Sequence, residues 1–196
     1  MDASTQDEFK RGLDHFDPEG RVFPAIALKV AAGQELTKKD VLLILKWKLG
    51  RIKASNYKTV SDRSISSINE AVKSASEESC WVRSLVALDA VPGIGLPTAT
   101  AILTVCYPDQ FTILDWRVLE SLRLYPSRLM PAEARKYDSA DWTAKEYVEE
   151  FLPQVKERSR IWNSSLRAAD QALWGLSVER WHEQVINFHR VPAERH

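Results

Sequence analysis

Two cysteines, Cys80 and Cys106, are all the chain has, too few for a disulfide framework or a four-cysteine metal site. Both are expected as free, buried thiols in a reducing compartment. Net charge is missing too: 27 lysines and arginines stand against 27 aspartates and glutamates, so no bulk positive field marks the molecule as a nucleic-acid binder. No run approaches the roughly 18 apolar residues that span a bilayer. The opening segment, Met1 to Arg11, is acidic and polar with no basic n-region. A cytoplasmic protein with no membrane partner is the expectation. Runs of alternating β-branched residues between turn dipeptides are also absent, which argues against a sheet.

What is present is helical periodicity. At 196 residues, 44% hydrophobic and 28% charged, the chain can build one substantial core, and 1–196 reads as a single all-α domain, expected as a monomer. Thr37 is a fair N-cap for a helix through Val41, Ile44, Leu45 and Trp47, stopped by Gly50. Ser61 caps the next helix through Ile65, Ile68 and Val72, and Cys80 to Leu88 marks another that ends before Val91-Pro92-Gly93. A helix is expected to open at Asp115 and run through Leu122, followed by loop from Tyr125 to Asp141. Thr143 and Glu146 form a capping box, although Pro153 should kink or break the helix they open. Two further helices are expected, near Leu166 to Leu176 and Val178 to His189.

Charge is uneven locally. Between Lys46 and Arg63 the basic residues Lys46, Lys48, Arg51, Lys53, Lys58 and Arg63 face Asp62 alone, a pattern that suits either a phosphate backbone, with Lys48 and Lys53 as contacts, or a solvated helix end. His182 and His189 fall seven apart with no third ligand at suitable spacing, so no metal is assigned to them.

The most informative segment joins two apolar helices through Val91-Pro92-Gly93-Ile94-Gly95. Gly93 and Gly95 tolerate positive φ and close backbone approach, so amides at the start of the next helix, from Gly93, Ile94, Gly95 and Thr98, can converge on one phosphate. Pro97 suits that helix's first turn. A tight hairpin that binds nothing is the other reading of the glycines alone.

Val91-Pro92-Gly93-Ile94-Gly95-x-x-Thr98-Ala99 resembles the LPGVGxxTA hairpin of the helix-hairpin-helix, GPD-type DNA glycosylase superfamily. Downstream, Phe111-Thr112-Ile113-Leu114-Asp115-Trp116-Arg117-Val118 is similar to that superfamily's apolar segment ending in its catalytic aspartate. Asp115 lies eighteen residues beyond Pro97, the position where bifunctional members carry a lysine. The resemblance implies a two-lobed helical fold, with the hairpin over about 80–106, the catalytic segment over about 111–122 and double-stranded DNA as partner. Trp47-Lys48-x-x-Arg51 and the segment from Leu166 through Arg167 and Asp170 to Trp174 resemble stretches of an uncharacterised bacterial branch of such proteins. Two departures carry consequences. Proline cannot form the Schiff base that a lysine makes with the sugar, so a monofunctional glycosylase without lyase activity is implied. The four-cysteine motif of several relatives is absent, which excludes an iron–sulfur cluster by ligand count, and no cofactor is expected.

Loss of a base develops positive charge on the deoxyribose, which a carboxylate near the anomeric carbon stabilises while polarising water. Asp115 is the candidate for that role, and it would also cap the following helix. The base must leave the duplex, at a cost of a few kcal/mol, for an aromatic or apolar pocket. Trp116 and Trp47 are the candidates to stack on it, and Trp81, Trp162, Trp174 and Trp181 are assigned to packing. Arg117 and Arg51 are candidates for the phosphate or the extruded nucleotide, or else solvent-facing salt-bridge partners. The rival readings are a non-catalytic hairpin clamp on DNA and an inactive reader of modified bases. Host repair and excision of modified bases from phage DNA are both carried as roles.

Overall fold

The computed structural model describes residues 3–14, 22–49, 60–124 and 139–189, and over these the protein is all-α, with no strand. Arg51, Lys53 and Lys58, the Gly50 stop, and most of the expected 125–141 loop lie outside the described residues. The helices are α1 (Ala3–Asp14), α2 (Val22–Ala31), α3 (Lys38–Leu49), α4 (Asp62–Ser74), α5 (Trp81–Asp89), α6 (Leu96–Cys106), α7 (Trp116–Leu122), α8 (Ala144–Glu146), α9 (Leu152–Ile161) and α10 (Leu166–His189).

The caps fall where the sequence places them. Thr37 and Asp40 bond each other's backbone and side chain at the start of α3. Ser61 accepts from the Ser64 amide at the start of α4, and Thr143 and Glu146 close a capping box before α8. Each satisfies amides that a helix start leaves unpaired.

Helix α6 is the axis of the core. It is apolar on every side, its residues from Thr98 to Cys106 are all buried, and α2, α3 and α5 pack against it. A helix hydrophobic all round belongs in an interior. Two of its three threonines turn their hydroxyls onto backbone: Thr100 donates to Pro97 O at 2.9 Å and Thr104 to Thr100 O at 2.8 Å. Cys80 and Cys106 are free and buried, and burial pushes the Cys106 thiol up to about 12.

Three expectations about elements need correction. Leu166 to His189 is one unbroken helix of 24 residues. Ser177, which falls between the two expected helices, is fully buried, and its hydroxyl donates to the Glu120 carboxylate, tying α10 to α7. Of the two outcomes expected at Pro153, a kink or a break, the break does not occur. The chain widens to a π-helical segment over Tyr147–Phe151, where the Leu152 amide reaches back to Tyr147 O, and stays helical to Ile161. That register change accommodates the ring and missing N–H of a proline in the next turn. Ser139–Asp141, expected as loop, is a 3₁₀ turn.

The opening residues, read only as a polar start, form α1 and lie along α10. Glycines set that crossing: a Cβ on Gly12 would sit 2.2 Å from Ala172 O, and one on Gly175 would sit 1.6 Å from Gly12 O. Only two hydrogens in place of side chains let the backbones meet.

Candidate functional site

Between α6 and α7 runs an extended segment, Phe111 to Leu114, whose side chains are all buried. It belongs to neither helix nor sheet, so its backbone groups must find partners elsewhere. The Tyr147 hydroxyl takes both groups of one residue, accepting from Thr112 N at 3.1 Å and donating to Thr112 O at 2.6 Å. Thr100 Oγ1 accepts from Leu114 N at 3.0 Å. Tyr147 is wholly buried, which raises its phenol above the usual range against the bond to Thr112. The segment is thus pinned at two points immediately before Asp115.

Asp115 leaves this segment as the N-cap of α7, and its Oδ1 accepts from Arg117 N at 3.0 Å. Its other oxygen, Oδ2, accepts from Lys48 Nζ at 2.6 Å. Lys48 comes from the last turn of α3, where helix polarity favours a cation. The pair is only partly withdrawn from water, with 11% of the lysine side chain and 19% of the aspartate side chain exposed.

Next to it in the chain or the fold, arginines face tryptophans. The Arg117 guanidinium lies 4.4 Å from the Trp116 ring centroid and 5.1 Å from that of Trp174. Its Nη1 is buried and has no hydrogen-bond partner among the described residues. Arg167 pairs with Asp170 one turn along α10 and stands 5.7 Å from the Trp47 ring. Burial raises the Asp170 carboxyl above the ordinary range, the Arg167 charge works against that, and the Asp115 charge adds to it. Asp170 is thus electrostatically linked to the Lys48–Asp115 pair.

Sequence reasoning named Asp115, Trp116, Arg117, Trp47 and Lys48, and the fold brings them to one corner from α3 and α7. Lys48 is not where it was expected: its ammonium is committed to Asp115 rather than turned out towards a phosphate backbone. Trp174, expected to pack, does pack against the core and also faces Arg117. Trp181 had been assigned to packing as well, and it is 52% exposed. Arg167 and Asp170 received no role from the sequence. Their signal was a charged pair at i and i+3 inside the run from Leu166 to Leu176, which apart from Gln171 is otherwise apolar, a pattern a buried helix face does not need.

The hairpin turn is only partly as expected. Gly93 has φ of 85°, the left-handed conformation that favours glycine. Gly95 is extended, with φ of −91° and ψ of 169°, and is the N-cap of α6. A Cβ on Gly95 would meet nothing nearer than Pro97 Cδ at 3.9 Å, so neither conformation nor internal crowding demands glycine there. The Ile94 amide donates to Val91 O and the Thr98 amide to Gly95 O, which commits both within the turn instead of leaving them for a phosphate. The side chains of Val91, Ile94 and Leu96 are buried, whereas Pro92, Gly93 and Gly95 are exposed.

No protein-family model matches the chain, and neither a curated protein nor a solved structure does.

Proposed function

We propose that this protein is a DNA glycosylase of the helix-hairpin-helix type, with Asp115 as its catalytic carboxylate. The observation that carries the reading is the setting of Asp115. It stands eighteen residues beyond Pro97, fixed by a cap bond and a lysine, at a corner lined by three tryptophans and two arginines. An aspartate needed only as a helix cap would not need an ammonium on its second oxygen. In the proposed reaction the carboxylate lies against the anomeric carbon of an extruded nucleotide. It stabilises the cationic sugar as the base departs and polarises the attacking water.

Trp116, 43% exposed beside Asp115, is the surface on which the extruded base or its neighbour would stack, at about 1–3 kcal/mol per base. The unpartnered Nη1 of Arg117 offers a donor for a base carbonyl or a phosphate oxygen. At the hairpin, the open space at Gly95 suits a ligand that must approach the backbone closely, and a DNA phosphate at the start of α6 is that ligand in this reading.

The test is a panel of duplexes carrying damaged and modified bases, phage-modified DNA included, incubated with the protein and with Asp115→Asn and then treated with hot alkali. Strand breaks that require Asp115 are expected on at least one of them. Salt-sensitive binding of duplexes with no break on any would replace the enzyme with a DNA clamp or modified-base reader.

A further inference from the structure

A cavity of about 330 Å³ opens between the start of α5 and the first turns of α9, and none of the residues lining it belongs to the Asp115 corner. Its floor is the Trp81 indole, held in place from two sides: the N–H donates to Ala75 O at 3.1 Å, and the ring packs 4.9 Å from that of Phe111. Val148, in the π-helical segment, and Leu152 supply an apolar wall. Such segments are rare and frequently border functional sites.

Charge decides what fits there. Glu78, Lys156, Glu157 and Arg160 all reach the cavity. Two of them cancel, because Arg160 donates to both carboxylate oxygens of Glu157, at 2.8 and 2.6 Å. The other two do not. The Lys156 ammonium lies 4.6 Å from the Trp81 ring centroid, and neither it nor the Glu78 carboxylate has an ion-pair or hydrogen-bond partner among the described residues. Opposite charges that border one small apolar cavity without meeting each other are complementary to a molecule that carries both. We propose that this cavity binds a free α-amino acid with an apolar side chain, its carboxylate on Lys156, its ammonium on Glu78 and its side chain against Trp81, Val148 and Leu152.

Other occupants match the cavity less well. Its volume is at the small end of ligand pockets, about 300–1,000 Å³, which suits a metabolite of amino-acid size rather than a dinucleotide. An apolar carboxylate would satisfy Lys156 and set its anion near Glu78, and an apolar amine would do the reverse. A peptide segment within a longer chain has amides in place of both charges. The site also has a structural connection to the Asp115 corner. Trp81 packs on Phe111, and Val148 follows Tyr147, whose hydroxyl holds Thr112, so an occupant rests against the supports of the segment that leads to Asp115.

The test is a titration of the full isotope-labelled chain with L-phenylalanine and with L-leucine, followed by nuclear magnetic resonance at the Trp81 indole N–H. The expected result is a saturable shift of that signal by at least one of the two. 3-Phenylpropionate and phenethylamine, which each keep one of the two charges, should bind about tenfold more weakly than L-phenylalanine, the loss of one charge-assisted contact. Glu78→Gln should weaken L-phenylalanine by a similar factor and leave 3-phenylpropionate undiminished, and Lys156→Gln should weaken both. The comparison of ligands on the wild type stands whether or not either variant folds. No saturable shift with either amino acid, or 3-phenylpropionate binding as tightly as L-phenylalanine, would overturn the proposal.

Discussion

Helix α6 and the corner where α3, α7 and α10 meet handle polar groups in opposite ways. In α6 the hydroxyls of Thr100 and Thr104 are turned onto backbone carbonyls, and Thr100 also receives the Leu114 amide, so polarity inside the core serves the fold. In the corner, Lys48, Asp115, Arg117, Arg167 and Asp170 are gathered among three tryptophans, and the Arg117 Nη1 is buried without a hydrogen bond among the described residues. Unmade bonds to buried groups cost about 1–3 kcal/mol each. A chain built for stability alone would fill that corner with apolar side chains, as it does one layer away at Phe111 and Leu114. In the proposed reading the contrast marks the working site, because local rules are broken at such sites and kept elsewhere.

The largest effect should come from the core side. Phe111→Ala, which empties a fully buried site against Trp81, should lower unfolding free energy by about 3–5 kcal/mol in denaturant titration. Tyr147→Phe tests the joint between the regions. It strips Thr112 of both partners and should cost about 1–3 kcal/mol, and by loosening the segment before Asp115 it should also slow base release. A loss of stability with unchanged turnover would mean that this segment does not position the aspartate. Arg117→Ala sharpens the contrast from the other side. Two partly buried cation–π contacts amount to about 1–2 kcal/mol, so stability should fall modestly while DNA binding weakens at fixed salt. Substantial unfolding with unaltered binding would return Arg117 to a structural role.

The smallest effect concerns pH. Burial holds the Asp170 carboxyl above its ordinary value of 3.8 despite Arg167. The folded protein therefore keeps a proton that the unfolded chain releases, and stability falls as pH rises from that value through the folded one. Asp170→Asn should remove this component, so the variant's unfolding free energy should depend less steeply on pH just above 3.8 than the wild type's does. An unchanged slope would place Asp170 in an environment more polar than its neighbours suggest.

Much of the local structure was legible because its causes are local. Thr37, Ser61, Asp115 and Thr143 cap the helices they precede, since a cap needs only a short polar side chain three residues or fewer from the amides it serves. What escaped depends on distant partners. Ser177 falls between the two helices the sequence suggests, and inside the single helix Glu120, on another helix, accepts its hydrogen bond. The polar start of the chain becomes α1 only because Gly12 and Gly175 permit a close crossing. In the candidate site, the apolar run into Asp115 marked the carboxylate. Nothing in the sequence joined it to Lys48, 67 positions earlier, because a charge in a basic stretch has the same pattern whether it meets solvent or a buried oxygen. Trp174, assigned to packing, does pack against the core, but helical spacing alone does not show that it also faces an arginine.

The central claim is that the corner around Asp115 breaks glycosidic bonds in DNA. Its most direct measurement is single-turnover base release by wild type and Asp115→Asn on the duplex panel, with thermal unfolding of both proteins alongside. Asparagine caps a helix about as well as aspartate, so the fold should be kept while the rate falls by about 10²–10⁴. Equal release by the two proteins, or release by neither from any duplex, would contradict the account and leave Asp115 as a helix cap paired with a lysine.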